Sequence, residues 1–304
     1  MSLQFIIGSS GIGKTHYACE QIIRESMENP QHLYYIIVPE QFTMQTQKNV
    51  VEMHPGKGIL NIDVLSFQRL AYRIFEETGG AREVLLDDTG KSMVLQKLVQ
   101  QHRKNLPYLG SQMNKPGYLD EVKSLISEFM QYDIREEELQ DMLGKTGEDS
   151  LLHMKMQDVG VLYQAFLQYL EGHYMTGEGV MDALKKAIPF SDKLKKSVLL
   201  LDGFTGFTPV QMNVIRELLN VCDKVLVTVT MDAGENPLQM GKPHQLFYMS
   251  RKMIHTLSGL TSNLDDPILL KDERKGRFGN STSLDFLEKH LFRYKRSAYE
   301  KKQE

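Results

Sequence analysis

Residues 3–15, LQFIIGSSGIGKT, set the architecture of the chain. Leu3–Ile7 is an apolar run of strand length, and an amphipathic stretch from Lys14 to about Met27 reads as a helix. Between them Gly8-Ser9-Ser10-Gly11-Ile12-Gly13-Lys14-Thr15 fits the phosphate-loop pattern G-x-x-x-x-G-K-[ST] in its proper strand–loop–helix setting. Glycines let the backbone curl until several N–H groups face one anion, and the helix adds its positive end. Lys14 reaches the outer phosphates, and Thr15 offers its hydroxyl to Mg²⁺. The expected ligands are ATP and Mg²⁺.

Further along, Tyr34–Val38 is a second strand closed by Pro39, and a polar helix runs from Phe42 to about Met53. Leu60–Leu65 is a third strand, after which Ser66 caps a helix that ends at Gly79-Gly80. Apolar strands alternating with helices imply a parallel sheet covered on both faces. From about Ala81 to Lys196 the strands disappear, and apolar residues recur at helical spacing in 92–99, 119–132, 159–170 and 180–188. Strands return at Val198–Leu201 and Val225–Thr230, flanking a helix that opens at Pro209 with Thr208 as its cap. Lys242–Leu257 and Leu284–Tyr294 are further helix candidates. The reading is an α/β protein with a discontinuous domain at 1–80 and 197–240. A helical insertion occupies 81–196, and a helical segment, 241–304, leads toward domains beyond the chain.

Composition narrows the class. The chain is 41% hydrophobic and 25% charged, which argues against disorder, and a net charge of −3 does not advertise nucleic-acid binding on average. Cys19 and Cys222 have no CxxC companions, so they bind neither zinc nor an iron–sulfur cluster by themselves, and they suit a reducing compartment. No apolar run approaches the roughly 20 residues of a bilayer span, and the start lacks a signal-peptide layout. A cytoplasmic location without membrane contact is expected.

Hydrolysis needs a carboxylate for the hydrated Mg²⁺ and a group that activates water. Asp202, closing the strand 198–201, is the metal candidate beside Thr15. Gly203 follows it where a hydrolytic motor carries Glu, and glycine can neither take a proton nor orient a water. Binding without efficient turnover is expected, and no catalytic residue is assigned.

Four separated motifs carry a resemblance: FIIGSSGIGKT, YYIIVPEQFT, VLSFQRLAYRIFEETGG and LLLDGFTGFTPVQ. Together, over roughly residues 3–250, they resemble the N-terminal part of the AddB (RexB) family, which belongs to the bacterial helicase–nucleases. That resemblance implies a RecA-like P-loop domain with a 1B-type helical insertion, descended from superfamily 1 helicases of the UvrD and PcrA type. Their acidic motif reads D-E-F-Q-D-T-N-x-x-Q; here Asp202, Phe204 and Gln211 keep their places while the Glu, the next Gln and the second Asp do not. The following motif, G-D-x-x-Q, survives only as Val229-Thr230-Met231-Asp232-Ala233.

The resemblance further implies an AddA-type partner, single-stranded and duplex-end DNA as ligands, and a role in double-strand break repair. Nuclease activity and an iron–sulfur cluster belong to the family's C-terminal part, so neither is expected in these residues. By analogy Gln41, Phe42, Ser66 and Phe67 lie on the single-strand path; equally, the phenylalanines could pack in the core and Ser66 could merely cap a helix. The lysine-rich stretches 185–196 and 293–302 read as solvated faces that could touch a DNA backbone. Two other readings stay open: an active small P-loop ATPase or kinase with a helical lid, and a scaffold whose loop binds nothing.

Overall fold

A computed structural model describes residues 2–80, 83–113, 115, 117–232, 234–271, 277–278, 280–293 and 297–299. In chain order the elements are β1 (Ser2–Gly8), α1 (Lys14–Glu28), β2 (Leu33–Ile37), α2 (Thr43–Met53), β3 (Ile62–Leu65) and α3 (Phe67–Thr78). Next come β4 (Val84–Leu85), α4 (Asp88–His102), α5 (Leu109–Gln112), α6 (Tyr118–Gln131), α7 (Glu136–Gly144), α8 (Leu151–Leu170), β5 (Tyr174–Met175) and α9 (Gly179–Ala187). The chain continues with β6 (Ser197–Leu201), α10 (Pro209–Val221), β7 (Lys224–Thr230), α11 (Tyr248–Ser258), β8 (Ile268–Leu269) and α12 (Thr282–His290). These residues form two compact units: 1–70, 188–207 and 215–304 in one, 71–187 and 208–214 in the other.

The first unit is built on a six-stranded sheet of order β3-β2-β6-β7-β1-β8 whose paired strands are all parallel. Every residue of β6 is buried, as are the five residues Val225–Val229 of β7. Continuous apolar strands of this kind need cover on both faces. On one face Ile6, Ile36, Leu200 and Leu226 pack with Ala18, Cys19, Ile22 and Ile23 of α1 and Val50 of α2.

Three elements differ from the sequence reading by two residues or more at a boundary. Leu60 is fully exposed and the third strand begins at Ile62. The helix expected from Lys242 begins at Tyr248, because residues 242–248 are taken up by turns: the Gln245 amide donates to the Lys242 carbonyl at 2.9 Å, the Tyr248 amide to the Gln245 carbonyl at 3.0 Å, and the Lys242 amide to Gln245 Oε1 at 2.8 Å. The last helix spans Thr282–His290, and Tyr294 lies outside the described residues. Strand β8 was not legible: two residues carry no periodicity, and it is held through the Leu270 amide donating to the Ile7 carbonyl at 2.8 Å.

In the second unit Leu95, Leu98, Ile126, Leu162 and Phe166 centre an apolar core shared by α4, α6 and α8. The expected all-helical stretch needs one correction. Val84–Leu85 and Tyr174–Met175 pair as a two-stranded parallel ladder, again too short for a period-2 signal. Inside this unit Lys91 of α4 donates to both carboxylate oxygens of Glu178 at 3.0 Å, with both side chains nearly enclosed. At the start of α10, Thr208 and Gln211 cap each other reciprocally: the Gln211 amide donates to Thr208 Oγ1 and the Thr208 amide to Gln211 Oε1.

Candidate nucleotide site

The glycine loop leaves the sheet where β1 ends. Gly8 pairs with Thr230 of β7, and its carbonyl accepts from the Met231 amide at 3.0 Å. A Cβ on Gly8 would stand 2.7 Å from Ile12 Cγ2, so only glycine lets the loop fold back this tightly. Buried Ile12 pins the loop to the core. Gly11 and Gly13 have φ of +73° and +100°, a region L side chains avoid. The loop therefore turns directly into α1, whose first amides have no partner within the helix and are free for an anion.

Lys14 lies over this loop, its Nζ donating to the Ser9 carbonyl at 2.9 Å. Burial lowers its pKa, while the carboxylates of Asp202 and Glu288 pull it back up. Thr15 and Asp202, 187 positions apart in sequence, meet: Thr15 Oγ1 donates to the Asp202 carboxylate, 3.0 Å from each oxygen. Asp202 is 5% exposed. Its amide donates to the Ile37 carbonyl at 3.0 Å, which extends the β2–β6 ladder by one bond and sets the carboxylate at the sheet's carboxyl edge. Thr228 Oγ1 donates to Asp202 Oδ1 at 2.6 Å and accepts from the Gly203 amide at 3.4 Å.

Thr228 was missed in the sequence, although VLVTVT carries the signal: a hydroxyl inside a buried strand needs a partner. One carboxylate, one hydroxyl and a ring of backbone amides are hard-oxygen and anion chemistry. They suit Mg²⁺, which keeps several waters and relies on one or two carboxylates plus substrate phosphates. No group of three or more His, Cys, Asp or Glu able to hold a metal occurs among the described residues.

Gly203 adds a backbone fact to the chemical one. Its φ is +78°, so the position following the acid is turned into the left-handed region. A side chain there is strained irrespective of space. Asp232, in the segment 229–233, is paired with a cation: Arg293 Nη2 lies 2.8 Å from Asp232 Oδ2. Ala233 of that segment lies outside the described residues.

The four candidate DNA positions divide in two. Gln41 is exposed and Phe42 is 51% exposed, both in a short 3-10 turn after β2. Ser66 is 6% exposed and caps α3, accepting from the Arg69 amide at 3.3 Å. Phe67 is 5% exposed and packs its ring 5.7 Å from Phe204 and 6.3 Å from Phe207, which are themselves 4.9 Å apart. Phe204 and Phe207 are half-buried, so the aromatic surface of this cluster belongs to the segment after Asp202. Close beside Gln41, Arg69 Nε donates to Glu40 at 3.1 Å. Of the basic stretch 293–302, only 293 and 297–299 are described. Both cysteines are free and buried, and burial pushes each thiol up to about 12. No helix among the described residues is long and apolar enough to cross a membrane.

The family model described as ADDB, N-terminal, matches residues 5–288. Proteins described as the B subunit of an ATP-dependent helicase/deoxyribonuclease are similar along the whole chain. One from Lachnoclostridium phytofermentans is 43% identical over 311 residues, covering 100% of this chain and 27% of the relative. Relatives from Desulforamulus reducens and Clostridium acetobutylicum are each 32% identical, covering 97% and 99% of this chain and 26% of their own lengths. The chain thus spans about a quarter of the length of the curated relatives it matches.

Proposed function

The chain belongs to the ADDB N-terminal family, and we propose that it is the nucleotide-holding, turnover-poor region of a helicase/deoxyribonuclease B subunit acting in double-strand break repair. Residues 8–15 cradle the phosphates of ATP, Lys14 neutralises the outer ones, and Thr15 with Asp202 holds hydrated Mg²⁺. The observation that carries this reading is the Thr15–Asp202 contact, which unites the loop's metal-binding hydroxyl with the acid at the end of β6. A RecA-like domain at 1–80 and 197–240, with a 1B-type insertion at 81–196, is the architecture this implies. It is supported by the parallel sheet and by the loop's place at its carboxyl edge, where α/β folds bind ligands.

With glycine at position 203 the water-activating group is missing, so the region holds ATP and hydrolyses it poorly. Its work is to contact DNA and an AddA-type motor partner. Gln41 and Phe42 are exposed for DNA, and the Phe67–Phe204–Phe207 cluster offers ring faces of the kind that stack on single-stranded bases. Strand cutting and the iron–sulfur cluster belong to the rest of the longer protein, in the cytoplasm. The test is ATP binding and turnover by the 304-residue chain, with and without single-stranded DNA, beside Lys14→Ala. Removing a charge-assisted phosphate contact should weaken Mg-dependent ATP binding roughly ten- to hundredfold. Robust DNA-stimulated hydrolysis by the unmodified chain would overturn the turnover-poor reading.

A further inference from the structure

Beyond β8 the chain comes back to the glycine loop. The Arg277 amide donates to the Gly11 carbonyl at 2.8 Å. The Phe278 ring rests on Gly11, where an added Cβ would stand 2.7 Å from ring carbon Cε2. Helix α12 then passes the loop: Glu288 and Leu284 share with Ser10 and Thr230 the wall of one cavity of about 300 Å³. The far end is pinned by Arg293, which pairs with Asp232 and lies 5.1 Å from the centre of the Phe247 ring. Between these anchors the hold is shallow. No residue of α12 is buried, and Leu284 and Leu287 are half exposed. An element fastened at its ends, with few buried contacts between them, belongs to the low-stability end of a fold.

Glu288 gives this crossing a sign. It stands in the last turn of α12, where the negative end of the helix disfavours an acid, so helix stability does not account for it. Its carboxylate acts on the loop's cation instead: with Asp202 it pulls the Lys14 pKa upward against burial. A phosphate arriving at Lys14 is drawn by that ammonium and repelled by that carboxylate. We propose that Arg277, Phe278 and residues 280–293 form a strap across the glycine loop, and that Glu288 sets the strap and a bound phosphate against each other. The inference rests on the phosphate-loop reading above and adds a regulator to it. A phosphate-bearing ligand loosens α12, and whatever holds α12 down weakens the ligand. By linkage the two effects are one coupling and share one factor.

The experiment measures binding of magnesium tripolyphosphate to the 304-residue chain and to Glu288→Gln, Asp285→Asn and Lys14→Ala. Amide hydrogen exchange in α12 is followed with and without the same ligand. Glu288→Gln should bind about two- to fivefold more tightly at low salt, and the gain should shrink as salt is added. Asp285→Asn removes the same charge from the same helix, at a residue paired with Lys289, and should leave binding unchanged. In the parent chain the ligand should speed exchange of the α12 amides by a similar factor, an effect largely lost in Glu288→Gln. Slower α12 exchange with ligand would overturn the proposal and make the segment a clasp that closes on phosphate. Glu288→Gln binding no more tightly than the parent, or Asp285→Asn matching its gain, would sink the strap while the loop reading stands. A parent chain that binds no tripolyphosphate, or a Lys14→Ala chain that binds it as well as the parent, removes the loop reading and the strap with it.

Discussion

Substituting Gly203 separates a backbone role from a chemical one. With φ at +78°, an L side chain costs about 1–2 kcal/mol for the left-handed conformation. A Cβ at 203 would meet only Pro39 Cδ, at 3.7 Å, which is ordinary contact, so no clash adds to that cost. Alanine also narrows the unfolded ensemble, which offsets roughly 0.4–1 kcal/mol. Gly203→Ala should therefore lose about 1 kcal/mol net. Gly206, three residues on, is not in the left-handed region and its Cβ position is open, so Gly206→Ala should change stability by less than about 0.5 kcal/mol. Urea unfolding followed by far-UV circular dichroism reads both variants, since the sequence has no tryptophan. Equal slopes with a shifted midpoint identify a true stability change. Gly203→Glu should show the same loss and gain no ATP turnover, because its side chain would start from the same left-handed backbone, whose amide contacts Thr228 Oγ1. A Gly203→Ala chain as stable as the parent, or a Gly203→Glu chain that hydrolyses ATP on DNA, would contradict this account of the turn.

Two further outcomes concern the helical unit. Lys91→Met should destabilise by about 3–5 kcal/mol, since it strands the enclosed Glu178 carboxylate, and Lys91→Met with Glu178→Leu should recover most of the loss in urea titrations. Asp158 is fully buried; its Oδ2 accepts from the Tyr108 and Leu109 amides, and its Oδ1 has no hydrogen-bond partner among the described residues. Burial raises its pKa, opposed by those two amides. The folded state then holds the proton more tightly than the unfolded chain, so the contribution is full below the ordinary carboxylate range and fades as pH rises through the raised value. Asp158→Asn should be at least as stable as the parent near neutral pH and above, with its advantage shrinking as the solution is acidified into the carboxylate range; a pH-independent difference would be the wrong outcome.

What was legible in the sequence follows from the length scale of each signal. Five of the six strands of the sheet announced themselves because buried parallel strands are continuous apolar runs, and β1 carried its loop beside it. Capping at Ser66 and the helix start at Pro209 were readable because caps use one or two residues of fixed type. The β4–β5 ladder and β8 were not, since two-residue strands are decided by neighbours distant in sequence. The pairing of Asp202 with Thr15 could be guessed from motif order, but the third member, Thr228, required knowing that β7 lies directly beside β6. Phe204 and Phe207 stood in plain view as residues; only folding shows that they, rather than Phe67, carry the accessible ring faces.

On the proposed reading, binding and turnover come apart at this site for a reason that lies in which state each group serves. Amides of the glycine loop, the Lys14 ammonium and the oxygens of Thr15 and Asp202 would complement a triphosphate already in its ground state, and so would lower the dissociation constant without lowering the barrier. The barrier falls only when a further group meets the attacking water, and that group is one residue past the metal acid in motors of this type. Here that residue is glycine, and its backbone is turned to +78° and tied through its amide to Thr228, which in turn donates to the metal acid. The hydrogen bonds that fix Asp202 for Mg²⁺ thus also fix the conformation that disfavours any side chain beside it. Placing a side chain at this one position therefore strains the same network that orients Asp202.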